Sequence, residues 1–133
     1  MNEELNKISE DIEKYKLTDS LQIKKIKQNI LDKMSFEPNE IKQYQKLLKN
    51  YRYVDEIDEL RYGSYIRYFN ISKPSLNLLR GGFIVDIKNV KDDIQILCKN
   101  GFSFFNIKLG QSVIFQKNTS QEELLIQILD HIK

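Results

Sequence analysis

The sequence predicts an α+β protein with an N-terminal helical hairpin or small bundle, a five- to six-stranded antiparallel SH3-like or OB-like β-barrel, and a C-terminal helix. Up to residue 50, apolar residues recur every three or four positions. After residue 50 they alternate with polar residues, and near the C-terminus the helical spacing returns. These spacings are the periods of helix, strand and helix. We therefore place a helical region at 1–50 and a small β-barrel domain with its C-terminal helix at 51–133.

Three amphipathic helices are predicted before residue 50. Their apolar stripes are Leu5, Ile8, Ile12 and Tyr15; then Leu21, Ile23, Ile26, Ile30 and Met34; then Ile41, Tyr44, Leu47 and Leu48. Thr18, Asp19 and Ser20 are N-cap residue types, and they separate the first helix from the second. Pro38 begins the third helix, because a first-turn residue has no intrahelical use for its N–H.

The stripe of the first helix needs a cover, since a helix this short is unstable alone in water. We expect the second helix to fold back over it through Ile23, Ile26 and Ile30, because the two segments carry opposite charge. The alternative is a partner protein in a larger assembly. The partner-binding residues would then be Leu5, Ile8, Ile12 and Tyr15.

Turn residues divide the second half into strands. Asn100-Gly101 separates two apolar runs, 94–99 and 102–108, and predicts a hairpin with a two-residue type I′ turn, because both residue types tolerate positive φ. Gly81-Gly82 precedes another strand and indicates a bulge or a close backbone approach.

The last helix is predicted to begin at a capping box formed by Ser120 and Glu123. Its apolar residues should pack it onto the sheet. They are Leu124, Leu125, Ile128 and Ile132.

The residue inventory argues against an enzyme, a cofactor or a metal site. His131 is the single histidine and lies near the C-terminus, while Cys98, the single cysteine, falls in a predicted strand and should be a buried packing residue. Gly81-Gly82 lacks the spacing of a phosphate-binding loop. The longest apolar runs are only a few residues, and the acidic N-terminus is no secretory signal, so we expect no membrane insertion and an intracellular location.

Aromatic and basic residues alternate in the segment that begins the β-domain. In a strand, Tyr65 and Arg67 would share one face, and Ile66 and Tyr68 the other. Aromatic rings stack on unpaired bases while basic side chains hold phosphates, so such a face would bind single-stranded nucleic acid. Residues 14–52 also carry ten basic against four acidic residues. The candidate binding residues are Arg52, Arg61, Tyr65, Arg67, Lys24, Lys25 and Lys27. The competing interpretation is that the rings fill the barrel core and the arginines cover its rim.

The run from Asp58 to Tyr68, followed by Leu79-Arg80-Gly81-Gly82-Phe83, resembles a pattern in small uncharacterised proteins of giant (nucleocytoplasmic large) DNA viruses. It consists of a leucine, two residues, a glycine, one residue and tyrosine-isoleucine-arginine-tyrosine, then a glycine pair at the next strand. The resemblance covers residues 51–117 and implies a viral source, in the host cytoplasm or the virion. It implies no catalytic residue.

Two functions are therefore compatible with the sequence. The first is a non-enzymatic structural or scaffolding component of a larger assembly, such as a viral particle, that binds protein partners. The alternative is a nucleic-acid-binding module for DNA or RNA. Their salt dependence differs, because phosphate contacts release counterions and apolar contacts do not. We expect the first, since a net charge of +2 is small for a nucleic-acid-binding protein.

Overall fold

The computed structural model describes residues 2–132, and within that range it contains four α-helices and six β-strands. The helices are α1 (Asn2–Lys14), α2 (Ser20–Lys33), α3 (Pro38–Leu47) and α4 (Ser120–Ile132). The strands are β1 (Tyr51–Val54), β2 (Tyr65–Asn70), β3 (Leu79–Val90), β4 (Asp93–Asn100), β5 (Ser103–Lys108) and β6 (Ser112–Lys117). The chain divides into two units. The helical unit comprises the residues up to Asn50 and from Asn118 onward, and the sheet unit comprises Tyr51–Lys117.

Side-chain caps fix where the helices begin. Asp19 is the N-cap of α2 and its carboxylate accepts a hydrogen bond from the Gln22 N–H at 2.8 Å. Glu37 forms a capping box with Glu40, and Pro38 occupies the first turn of α3, as predicted.

The capping box of α4 lies one position earlier than predicted. Thr119 Oγ1 accepts from the Glu122 N–H at 3.1 Å, and Glu122 Oε1 accepts from the Thr119 N–H at 2.9 Å. Ser120 is already the first helical residue, so its side chain is one position past the cap.

The core of the helical unit explains why α4 belongs to it. Leu17, Ile23, Leu125 and Ile126 form a buried cluster. Ile8 and Ile12 of α1, and Tyr15 just after it, pack against that cluster. The α1 stripe thus packs within the chain against residues of α4 as well as α2, whereas we expected α2 alone, and its cover is partial, since Leu5 is 55% exposed.

The structure groups α4 with the helical unit, whereas we placed it in a 51–133 domain. Its apolar stripe completes the helical core instead, because Leu125 and Ile126 meet Ile23 of α2. Two hydrogen bonds hold its far end, from the Ser20 N–H at 2.7 Å and the Ser20 hydroxyl at 2.6 Å to the Asp130 carboxylate. These bonds lower the pKa of Asp130.

The six strands form one antiparallel sheet in the order β1-β6-β2-β3-β4-β5. Its core is a cluster of eight buried residues, seven on the strands and Leu60 on the connection between β1 and β2: Val54, Leu60, Ile66, Ile84, Ile96, Cys98, Ile107 and Ile114. The predicted closed SH3-like or OB-like barrel is not confirmed, since β1 and β5 are the two edges of an open sheet. The coarser prediction, an α+β chain with an antiparallel sheet, is confirmed.

The paired glycines lie at a bulge, as predicted. Ile66 pairs with Gly82 and Arg67 pairs with Arg80, so Gly81 is the extra residue on β3. Both glycines are buried, and each passes close to a neighbouring backbone carbonyl.

The β4–β5 hairpin is confirmed, but its turn is shifted by one residue. Asn100 pairs with Ser103, so the turn residues are Gly101 and Phe102. Gly101 has φ +62°, whereas Asn100 and Phe102 have negative φ. This matches a type II′ turn with glycine first, not type I′. Asn100 stays in the strand because its side-chain amide donates to the Gly81 carbonyl at 3.1 Å, and Phe102 is fully exposed at the turn.

The β3–β4 turn adopts the conformation that we expected at Asn100-Gly101. Val90 pairs with Asp93, and the two residues between them, Lys91 and Asp92, have φ +46° and +67°. Neither is glycine, and left-handed backbone costs an ordinary residue roughly 1–2 kcal/mol.

Replacing this turn by the double change Lys91→Asn, Asp92→Gly should therefore stabilise the protein by about 1–2 kcal/mol. Urea unfolding at pH 7 measures this change. As a control, Lys88→Asn on the exposed side of β3 should shift the free energy of unfolding by less than about 0.5 kcal/mol. A lower free energy of unfolding for the double variant would contradict the assigned turn type.

Candidate nucleic-acid interface

Aromatic and lysine side chains form a continuous row across all six strands, on the face opposite the cluster of eight buried residues, and the same face also carries the fully buried Phe69 and Phe115. The register pairs Tyr51 with Lys117, Tyr65 with Phe83, Phe83 with Lys99, and Lys99 with Phe104. Continuing the Ile66–Gln116 pair by one position brings Lys117 next to Tyr65. We call this set, in sheet order, the aromatic–lysine row: Tyr51, Lys117, Tyr65, Phe83, Lys99 and Phe104.

Contacts between neighbours fix the rings and ammonium groups of the row. The rings of Tyr65 and Phe83 meet edge to face with centroids 5.1 Å apart. Lys99 Nζ lies 5.6 Å from the centroid of the Phe104 ring, within cation–π range. Both interactions join adjacent strands and restrict the side-chain rotamers, which lowers the entropy lost when a ligand binds.

The exposed fraction of the aromatic side chains increases along the row towards β5. Tyr51 and Tyr65 are half-buried, Phe83 is 53% exposed and Phe104 is 60% exposed. Lys99 and Lys117 are exposed. Phe83 lies on the interior strand β3 and Phe104 on the edge strand β5, so exposed ring surface extends to one edge of the sheet.

Arg67 lies beside the row. Burial raises the pKa of Tyr51, and the nearby guanidinium of Arg67 opposes that increase. Among the described residues, the buried Nε of Arg67 has no hydrogen-bond partner. Tyr65 and Arg67 share this face, while Ile66 is buried and Tyr68 is packed on the core side, as the predicted alternation requires.

Two other predicted arginines are not part of this surface. Arg52 is 5% exposed and pairs in register with the fully buried Gln116, on the core side of the sheet. Arg61 is half-buried between β1 and β2, and its backbone N–H donates to the Gln116 side chain at 3.0 Å. The sequence prediction relied on the number of basic residues, because it did not establish which face of the sheet each arginine occupies.

The three predicted lysines of α2 have different environments. Lys24 and Lys25 are exposed, but Lys27 is 3% exposed and donates to the Leu48 carbonyl at 2.7 Å. Burial lowers the pKa of Lys27 to about 8, while the charge of Glu123 partly opposes that shift.

The buried ammonium makes stability depend on pH. The native-state pKa of Lys27 is below the unfolded value of 10.5, so the unfolded chain binds more protons between about pH 8 and 10.5. Relative to Lys27→Met, the wild type should gain about 3 kcal/mol of unfolding free energy across this window. Denaturant titrations at several pH values measure the difference. The exposed control Lys25→Met should show none, and a flat difference curve for Lys27→Met would contradict the assignment. The comparison with a variant is needed because burial raises the pKa of Cys98 to about 11, which acts in the opposite direction.

The remaining predicted residues are placed as follows. Leu5 is 55% exposed, while Ile8, Ile12 and Tyr15 are half-buried against the helical core. Cys98 is fully buried in the sheet core. Within residues 2–132, no group of three or more histidine, cysteine or acidic side chains is arranged to hold a metal ion, and no helix has the length and hydropathy to cross a membrane.

Sequence reasoning missed five of the six members of the row. They lie on five different strands, 5 to 66 residues apart in the chain, and only the register brings them together: Tyr51, Phe83, Lys99, Phe104 and Lys117. Alternation within each strand is visible in the sequence and would place each side chain on a face. The order of the strands in the sheet is not visible there.

Comparison with known proteins gives one partial similarity. The chain is 30% identical over 78 residues to "Uncharacterized protein L202" of Acanthamoeba polyphaga mimivirus, an alignment that covers 58% of this chain and half of the viral protein. No family model matches the chain. No solved structure matches it either. The chain thus spans about half the length of the curated relative that it matches, and over that part it is similar to a giant-virus protein, as the sequence pattern predicted.

Proposed function

We propose that the protein binds single-stranded nucleic acid through the aromatic–lysine row. The observation that supports this most is the order of side chains across the sheet, with an aromatic ring on either side of each lysine. Unpaired bases stack on such rings, and the lysines between them are in position for the phosphates. This is the alternative function of the sequence analysis, now based on a different set of residues.

The dimensions of the row suit a single strand that crosses the sheet. Adjacent strands are about 4.7–4.9 Å apart, so six strands give a row of about 24 Å. OB-type domains bind single strands on a comparable sheet surface, and a curled sheet of that type remains part of this proposal. Duplex DNA should bind less tightly, since its bases are already stacked.

Fluorescence anisotropy with a labelled oligothymidine of about 20 nucleotides at low salt is the direct test, since a single strand of that length exceeds the row. Phe83→Ala should weaken binding about 5- to 150-fold, which is the loss of one stacked base. Lys99→Ala and Lys117→Ala should each reduce the slope of log affinity against log salt by about 0.7.

Two control variants distinguish base stacking and phosphate contacts in the row from the general loss of an aromatic ring or a positive charge. Tyr62→Ala removes an aromatic ring that is 65% exposed and outside the row, so it should leave affinity unchanged. Lys88→Ala removes an exposed lysine outside the row and should leave the salt slope unchanged. Equal affinities for wild type and Phe83→Ala would refute the proposal.

A structural or scaffolding role is the second candidate. It is favoured by the exposed apolar side chains on β3 and the β4–β5 hairpin: Phe83, Val85, Phe102 and Phe104. These would bury against a protein partner in an assembly. Such binding would change little with salt, and Phe83→Leu would retain most of it, whereas base stacking would be lost. For either function we propose a location in the host cytoplasm or the virion.

A further inference from the structure

The helical unit has a cleft of about 950 Å³ between α2 and α3, with the beginning of α4 at its end. Every residue that lines it belongs to this unit, and none belongs to the aromatic–lysine row. The volume is at the upper end of the range for small-molecule sites. A ligand site in this cleft is therefore independent of the function proposed above.

Positive charge dominates the walls of the cleft. Five lysines line it: Lys24, Lys27, Lys42, Lys46 and Lys49. They are opposed by two carboxylates, Asp32 and Glu123. Lys42 and Lys46 are one turn apart on α3, and Lys24 and Lys27 are three residues apart on α2, so each helix presents a lysine pair to the same space.

One of these lysines is buried, and its charge is only partly compensated. Lys27 is 3% exposed, and among the described residues its ammonium has one hydrogen-bond acceptor, the Leu48 carbonyl at 2.7 Å. An ammonium group has three donors. Glu123 of α4 is the nearby opposite charge, and Lys24 is a nearby like charge. A buried cation at the wall of a basic cleft favours an anionic ligand, because the anion would supply the missing acceptors.

The rest of the cleft is apolar or carries amide groups. The apolar residues that line it are Ile23, Pro38, Ile41 and Ile126. Gln28 and Gln45 line it too, and the Gln45 amide donates to the Gln28 side-chain oxygen at 3.3 Å. Apolar residues suit a flat ring, and the Gln45 side-chain oxygen can accept from the edge of a base.

We propose that this cleft binds a nucleoside polyphosphate, with the phosphates at the lysines and the base against the isoleucines. Inorganic polyphosphate would satisfy the lysines but leave the apolar surface unused. A simple apolar molecule would leave the charges uncompensated. A nucleotide matches both parts and fits the volume.

Binding should also change the protonation of the cleft. Burial lowers the pKa of Lys27 to about 8, and phosphate groups beside it would raise that pKa again. The complex should therefore take up protons between about pH 8 and 10. The charged groups around Lys27 include Lys24 on its own helix, Lys46 and Lys49 on the α3 side, and Glu123 on α4.

The test is isothermal titration calorimetry of the full chain with ATP, free of metal, at low salt. We expect 1:1 binding that Lys46→Gln weakens about fivefold or more, since a direct charged contact to phosphate is lost. Lys27→Met should abolish the proton uptake seen at about pH 8.5 in buffers of different ionisation enthalpy. Lys27→Met alters a buried group, so its near-ultraviolet circular dichroism is compared with that of the wild type. Lys46 is exposed, so Lys46→Gln tests the site without disturbing the fold.

Lys25→Gln is the matched control, because Lys25 is exposed on α2 but does not line the cleft. If Lys25→Gln weakens ATP binding as much as Lys46→Gln does, the attraction is general and the site is refuted. Inorganic tripolyphosphate should bind at least about tenfold more weakly than ATP. Equal affinity would refute binding of the base by the isoleucines of the cleft. Phe83→Ala should leave ATP binding unchanged, which separates this site from the sheet surface.

Discussion

Gly82→Ala is expected to destabilise the sheet unit by about 3 kcal/mol or more. A Cβ at this position would lie 2.5 Å from the Lys99 carbonyl oxygen of β4. Gly81→Ala should be at least as damaging, since its Cβ would collide with the Ile66 carbonyl of β2. Both obstacles are backbone atoms within hydrogen-bonded strands, so neither can move without breaking the ladder on one side of β3.

Equilibrium unfolding in urea measures both variants. Gly110→Ala is the matched control, because the nearest atoms to its added Cβ are the Asp93 carboxylate oxygens at 3.3 Å, and a shift of that side chain by a few tenths of an ångström relieves the contact. The control should cost less than about 1 kcal/mol. If Gly82→Ala unfolds within that margin of Gly110→Ala, the close approach of β3 to β4 is not as described.

Gln116→Leu should cost about 2–5 kcal/mol, although leucine fills nearly the same space. Gln116 is fully buried near the end of β6, an interior strand of the sheet. Its side chain donates to the Glu59 carbonyl at 2.8 Å and accepts from the Arg61 N–H at 3.0 Å. Leucine would remove both hydrogen bonds from these buried and partly buried backbone groups, at about 1–3 kcal/mol each.

Amide hydrogen exchange gives the site-specific measurement, since Arg61 should lose its protection in Gln116→Leu before the strands do. The exposed Gln111→Leu serves as the control and should leave both stability and exchange near wild type. Retained protection at Arg61 would show that the connection between β1 and β2 is held by other contacts.

The local features of the fold were predictable because neighbouring residues determine them. Asp19 caps α2, Pro38 begins α3, and the Gly81-Gly82 pair forms a bulge, all from short-range chemistry. The alternation of Tyr65 and Arg67 with Ile66 also follows from strand geometry alone. None of these depends on the order of the strands.

Apart from the position of the α4 capping box, the errors came from interactions distant in sequence. Asn100 stays in its strand because of the Gly81 carbonyl, 19 residues away, and this shifts the hairpin turn by one residue. Arg52 was predicted to bind phosphate, but the register places it opposite the buried Gln116. Apolar spacing marked α4 as amphipathic but did not say which core it would complete. The candidate site could not be predicted for the same reason, because the register of six strands brings the members of the row together.

The connection between the two units has a consequence for synthesis. The Asn118 N–H donates to the Asn50 carbonyl at 2.8 Å, so the chain leaves the helical unit and returns to it at adjacent points. The sheet unit is thus an insertion in a discontinuous helical unit. On the ribosome, residues 51–117 emerge in full before α4, so the sheet can complete its hydrogen bonds while the helical core still lacks Leu125 and Ile126. The helical core is then completed last, when α4 packs against α2 and α1.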